Sequence, residues 1–123
     1  MKKIIAFEWL SLDGFIADRK GGTDWFLFDE EVGAHAKKVQ SQCDTLLFGW
    51  NTFEIMANYW PTPTASEEGQ AIRDFMNQTK KIVFSKTRQE TDPLITAWQN
   101  TKLISDLNTG VLREIKQLAR KNI

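Results

Sequence analysis

The sequence is poor in the residues that staple or metallate small domains. Of its 123 residues one is cysteine, Cys43, and one is histidine, His35. A single thiol excludes an internal disulfide and favours a reducing, cytoplasmic setting. A lone imidazole with no thiol companion argues against a zinc centre, so no metal is expected. There is also no excess of charge: 16 basic and 16 acidic residues cancel. Without a basic face or tail, nucleic acid and anionic membrane are not expected partners. Apolar runs are only a few residues long, which excludes a membrane span. The start, MKKIIAFEWLSLDG, is interrupted by Glu8 and carries no small-residue cleavage site, so it does not read as a signal peptide. No internal repeat or low-complexity tract is present.

What is there fits one globular domain over residues 1–123. Hydrophobic residues make up 41% of the chain, enough for one core and against wholesale disorder. Lys3–Leu10 (KIIAFEWL) reads as a strand. Asp29–Gln40 reads as a helix, with Val32, Ala36 and Val39 on one face, acids first and lysines last. Thr45–Phe48 (TLLF) reads as a short buried strand ended by Gly49. A helix capped by Asn51 follows, with Glu54 in the capping-box position. Tyr59-Trp60-Pro61-Thr62-Pro63 stops it. Ser66 opens another helix, with Ile72, Phe75 and Met76 inward. Lys81–Ser85 and Thr101–Ser105 read as strands, and Thr109–Lys121 as a final helix. Strands alternating with helices indicate an α/β domain with a mainly parallel sheet.

Three segments have the composition of a binding site. In FGWNTFE (48–54) a strand turns through Gly49 into a helix, whose first N–H groups suit an anion such as phosphate. An ordinary strand-to-helix connection has the same appearance. In FSKT (84–87) a strand ends in two hydroxyls around an ammonium, which suits a phosphate monoester; a solvated turn would look alike. Parallel strands would bring both segments to one sheet edge, where open α/β sheets bind ligands. The third segment is the long loop SLDGFIADRKGGTDW (11–25). Asp13-Gly14 and Gly21-Gly22 are turn or hairpin-tip chemistry. One of Asp13, Asp24, Asp29 and Glu30, if buried near Trp25 and Phe26, would have a raised pKa useful for holding or protonating a heterocycle. Trp98, in a polar context, is expected at a sheet edge, and His35 facing solvent.

Taken together, SLDGFIAD with DW downstream, LLFGWNTFE, YWP, FMN..KKIVFSKT and W.NTKLI.D resemble the dihydrofolate-reductase-like superfamily. The nearest branch is that of the riboflavin-biosynthesis reductase domain. The likeness runs the whole chain in order. It implies an α/β fold with a mixed, mainly parallel sheet flanked by helices, here truncated after the fourth strand and its helix. It also implies an NADPH-dependent reductase acting by hydride transfer on a pterin- or pyrimidine-like heterocycle.

By the same resemblance Gly49, Trp50 and Thr52 fall on the dinucleotide-phosphate segment Gly-Arg-x-Thr, with Trp50 replacing the arginine. Ser85, Lys86 and Thr87 fall on the segment that contacts the adenosine ribose and its 2′-phosphate. Ala6-Phe7 and Ile16-Ala17 fall beside the nicotinamide. Asp13 falls on the substrate aspartate, and Glu30 on the acid that folate reductases place five residues after a loop tryptophan. The 11–25 loop corresponds to a mobile lid. In the resembling fold a further strand lies between the first two. Three arrangements answer its absence: the first two strands pair directly, a second chain fills the gap, or the sequence is part of a longer product. A homodimer is the expected assembly. A non-catalytic, self-associating relative is the alternative function. A flavodoxin-like module fits worst, because the first loop is a poor phosphate cradle.

Overall fold

The structure is a computed structural model that describes residues 2–27, 29–63 and 67–123, with the side chains of Glu67 and Glu68 excepted. Its element order is α1 (Glu30–Gln40), β1 (Thr45–Gly49), α2 (Trp50–Tyr59), α3 (Glu67–Gln78), β2 (Lys80–Phe84), α4 (Pro93–Ala97), β3 (Thr101–Ile104) and α5 (Thr109–Leu118). The three strands form one parallel sheet in the order β1-β2-β3. The fold class is therefore the expected one: α/β, a parallel sheet flanked by helices.

Strand alternation divides the core. Leu46, Phe48, Val83 and Leu103 face one side, where they meet Phe53 and Ala57 of α2, Met76 of α3, Ile95 of α4, and Trp98. Leu47, Ile82, Phe84 and Ile104 face the other, against Val111 and Ile115 of α5, then Ala119 and Ile123. Apolar residues on both faces are what a parallel strand between helix layers requires. Trp98 and Phe53 stack with ring centroids 5.6 Å apart. Trp98 is only 1% exposed, so it is a core residue and not the expected edge cap. Its indole N–H donates to Asn77 Oδ1 at 2.7 Å, which frees it from the polar stretch around it.

Lys81 is fully buried beside it. Its ammonium donates to the carbonyls of Met76, Asn77 and Thr79 at 2.8, 3.1 and 2.7 Å, closing the end of α3, and lies 4.7 Å from the centre of the Trp98 ring. Burial pushes its pKa down to about 8.

Several expectations require correction. Lys3–Leu10 is not a strand. Only Lys3 and Ile5 find a ladder partner, in Ile123; from Ala6 onward no neighbouring strand supplies one. The sheet thus has three strands, and the N-terminal segment does not pair directly with β1. Asn51 is not a cap. The N-cap of α2 is Gly49, with no side-chain bond to the first turn. The short α4 was not anticipated; Asp92 caps it and Pro93 opens it. The start at Ser66 lies outside the described residues. Asp29 does head α1, accepting from Val32 N–H at 2.8 Å.

Candidate functional site at the carboxyl edge of the sheet

The parallel register pairs Leu47 with Ile82 and Gly49 with Phe84. β1 and β2 therefore end side by side. Each hands over at once to a polar segment: Gly49 to the first turn of α2, and Phe84 to Ser85-Lys86-Thr87. A second contact ties them. The Arg88 guanidinium lies 4.3 Å from the centre of the Trp50 ring, and its Nη1 reaches Asp92 Oδ2 at 3.4 Å. The turn after β2 is thus clamped onto the start of α2, and the two sequence segments stand at one edge.

That edge can hold an anion. No side chain caps α2, so its first N–H groups have no acceptor within the helix or from the cap. The macrodipole adds a partial positive charge there. A Cβ built at Gly49 meets nothing within 4 Å, so backbone is approachable from outside. Asn51 and Thr52 are exposed. Ser85 Oγ accepts from the N–H groups of Thr87 and Arg88, both at 3.3 Å, which shapes the turn and leaves Lys86 pointing to solvent. The indole N–H of Trp50 is buried without a hydrogen-bond partner among the described residues.

The long loop is built differently. It is two tight turns closed on themselves. Gly14 N–H donates to Ser11 O at 2.9 Å, and Gly14 takes φ +87°. Gly21 N–H donates to Asp18 O at 2.9 Å with φ +81°, and Asp18 Oδ1 accepts from Lys20 and Gly22. Only glycine takes such angles without strain. Gly21-Gly22 closes a turn begun at Asp18 rather than forming a hairpin tip between strands.

The buried carboxylate does not materialise: Asp13, Asp24, Asp29 and Glu30 are all exposed. Asp13 Oδ1 accepts from Ser11 Oγ at 2.6 Å, a turn contact. Glu30 is the first residue of α1. Ala6 and Ile16 are exposed and Ala17 is half-buried. The structure therefore gathers Gly49, Trp50, Thr52, Ser85, Lys86 and Thr87 at one edge. Asp13, Ile16 and Ala17 stay on the self-bonded loop, and Ala6 on the N-terminal segment. That segment is held by rings: Phe7 lies 4.8 Å from Trp9 and 5.9 Å from His35, and Trp9 lies 4.6 Å from Phe26.

Arg88 was missed in the sequence because its role depends on a tertiary stack with Trp50. A signal existed in its spacing, four residues before Asp92, which is the ion-pair interval of a helical turn.

These features define an α/β domain whose polar segments cluster beyond the carboxyl ends of two adjacent parallel strands. Residues 2–118 match the family described as RibD C-terminal domain, and the chain belongs to that family. It is thus a riboflavin-biosynthesis reductase-like domain, as the sequence motifs indicated. It is also similar to uncharacterized protein YyaP of Bacillus subtilis (strain 168), 28% identical over 119 residues. That match covers 97% of this chain and 57% of YyaP, so the chain spans little more than half the length of its relative.

Proposed function

We propose that this domain binds NADPH along the carboxyl edge of β1 and β2 and serves hydride transfer to a small pterin- or pyrimidine-like heterocycle. The observation that carries the reading is the side-by-side placement of Gly49–Thr52 and Ser85–Thr87, held by the Arg88–Trp50 stack. The residues fit the cofactor. The uncapped first turn of α2, with bare Gly49 in front of it, receives the pyrophosphate through backbone N–H groups. Thr52 adds a hydroxyl. Ser85 and Thr87 address the adenosine ribose, and the exposed Lys86 ammonium addresses the 2′-phosphate. Bound there, the cofactor supplies the hydride; the protein supplies position and exclusion of water.

Ala6, Ile16 and Ala17 would flank the nicotinamide and Asp13 would orient the substrate once the loop turns over the edge. Such closure is the ordinary work of a lid. Glu30, at the head of α1, is the reserve acid.

The test is a tryptophan-fluorescence titration of the purified protein with NADPH and NADH. Quenching at micromolar NADPH is expected, and Lys86→Ala should weaken NADPH more than NADH. Binding of neither nucleotide would overturn the reading. A second reading is a non-catalytic, self-associating module. It is favoured by the large apolar side chains that the loop leaves in solvent, Leu10, Leu12, Phe15, Ile16 and Leu27 among them. A homodimer by light scattering, with no turnover of any pterin or pyrimidine, would select it.

A further inference from the structure

The backbone between the N-terminal segment and β1 forms the beginning of a ladder. Asn122 N–H donates to Gln42 O at 3.0 Å and Asp44 N–H to Asn122 O at 3.1 Å, a parallel bridge centred on Cys43. On the opposite side Ile123 N–H donates to Lys3 O at 2.9 Å and Ile5 N–H to Ile123 O at 2.7 Å. Asn122 and Ile123 are thus hydrogen-bonded as a strand to both neighbours at once. Asp44 fixes this arrangement. Its Oδ2 accepts from the N–H groups of Arg120 and Lys121 at 2.7 and 2.9 Å, and Asn122 Oδ1 accepts from Lys3 N–H at 2.9 Å.

Alternate residues of a parallel strand address opposite neighbours. Asp44 addresses Asn122, so the carbonyls of Asp44 and Leu46 and the N–H groups of Leu46 and Phe48 face the same way. The odd-numbered residues of β1 serve β2. Across the strip, the Ile5 carbonyl, the N–H and carbonyl of Phe7 and the Trp9 N–H face back by the same rule. Among the described residues no hydrogen bond reaches these groups of Ile5, Phe7 or Trp9. Two rows of unsatisfied backbone groups converge on a strip whose first rungs are already laid. Beyond its open end the loop exposes Leu12, Phe15 and Leu27.

We propose that this strip is a receptor for one parallel β-strand of a second polypeptide, the counterpart of that part of YyaP which has no match in this chain. Three observations identify the occupant. The laid rungs demand a strand running with β1, in line with Asn122–Ile123. The two core clusters lie on opposite faces of the sheet, so the strand is apolar on both sides. More than a third of YyaP lies outside the matched residues, which is ample to supply it. Reaching from Cys43 to Gly49 takes about five or six residues, roughly 17–20 Å of strand. Its carboxyl end would arrive between Leu10-Ser11 and Gly49-Trp50, so the candidate site is incomplete without it. The inference concerns backbone pairing and stands whether or not a nucleotide binds.

The test is co-expression of this chain with the tagged segment of YyaP outside the match, followed by affinity capture, native mass and amide hydrogen exchange. A one-to-one complex is expected, with exchange at Phe7, Trp9, Leu46 and Phe48 slowed at least tenfold relative to the chain alone. Trp9→Pro, which deletes a strip-facing N–H, should weaken the complex tenfold or more, whereas Trp9→Ala, which keeps it, should retain it. Absence of a complex overturns the proposal. So does a complex that leaves those four amides unprotected. Protection of the same amides in a self-assembled oligomer of this chain also overturns it, and assigns the strip to a second copy.

Discussion

The sheet and the N-terminal third of this chain are both rich in aromatic and β-branched residues, yet they end in different states. β1, β2 and β3 are each hydrogen-bonded in register and covered by side chains on both faces. Residues 3–10 have the stronger strand composition but pair only at Lys3 and Ile5. Composition makes a segment able to be a strand; a neighbour makes it one. The rings of Phe7, Trp9 and Phe26 pack on one another, while Leu10, Leu12, Phe15 and Leu27 remain in solvent.

The sharpest way to break this contrast is to remove a ring from each region. Trp98→Ala should cost about 3–5 kcal/mol, since it empties a buried site and strands Asn77 Oδ1. Trp9→Ala, in the half-buried segment, should cost no more than about 1–2 kcal/mol. Urea unfolding of the two variants measures both. Equal losses would show that the N-terminal segment is as integral to the fold as the sheet.

Lys81 gives a test by pH within the packed region. Its folded pKa, about 8, lies below the ordinary value of 10.5 because the ammonium is buried. Between those values the unfolded chain binds more protons, so stability should rise with pH across that window, by up to about 3 kcal/mol. Lys81→Met removes the titration, and its urea midpoint should be flatter from pH 8 to 10.5. A wild-type curve with no rise there would place the ammonium in contact with water.

Asp44 tests the boundary between the two regions. Burial alone would raise its pKa, but the N–H groups of Lys121 and Arg120 and the Thr45 hydroxyl together hold it below the usual carboxylate value. Its contribution is therefore full above the ordinary value near 3.8 and fades as the pH falls through the lower, folded one. Asp44→Ala should cost about 1–2 kcal/mol and release residues 120–123, raising exchange at Asn122 and Ile123 while β2 and β3 stay protected. Loss of protection throughout the sheet would show that the bridge at Cys43 nucleates the whole domain.

The sheet was legible because its signals are local. TLLF, KIVF and TKLI are short apolar runs bounded by polar or glycine residues, and the helices between them carry a clear apolar stripe. The pairing of Gly49 with Phe84 followed from strand-helix alternation alone. What could not be read depends on partners distant in sequence. Trp98 looks exposed until Asn77 and Phe53 are brought to it. KIIAFEWL looks like a strand, and nothing within it reports that its neighbour is only Ile123. The expected buried acid failed for a related reason. Asp13 and Asp29 both have local uses, one bonding Ser11 and the other capping α1, and short polar side chains satisfy such local bonds first.

The smallest expected effect separates folding from binding, and it compares two glycines. Gly14 sits at φ +87°, a conformation that a Cβ disfavours, so Gly14→Ala should cost about 1 kcal/mol although the space around it is open. Gly49 sits at φ −75° with nothing within 4 Å of a built Cβ, so Gly49→Ala should change the unfolding free energy by less than about 0.5 kcal/mol. The structure gives Gly49 no folding reason to be glycine. If its bareness serves the approach of a phosphate to the first turn of α2, the alanine variant should fold normally and lose NADPH affinity by an order of magnitude or more, read by the same fluorescence titration. Unchanged affinity would move the phosphate away from α2 and leave the Ser85–Arg88 turn as the only cationic contact at that edge.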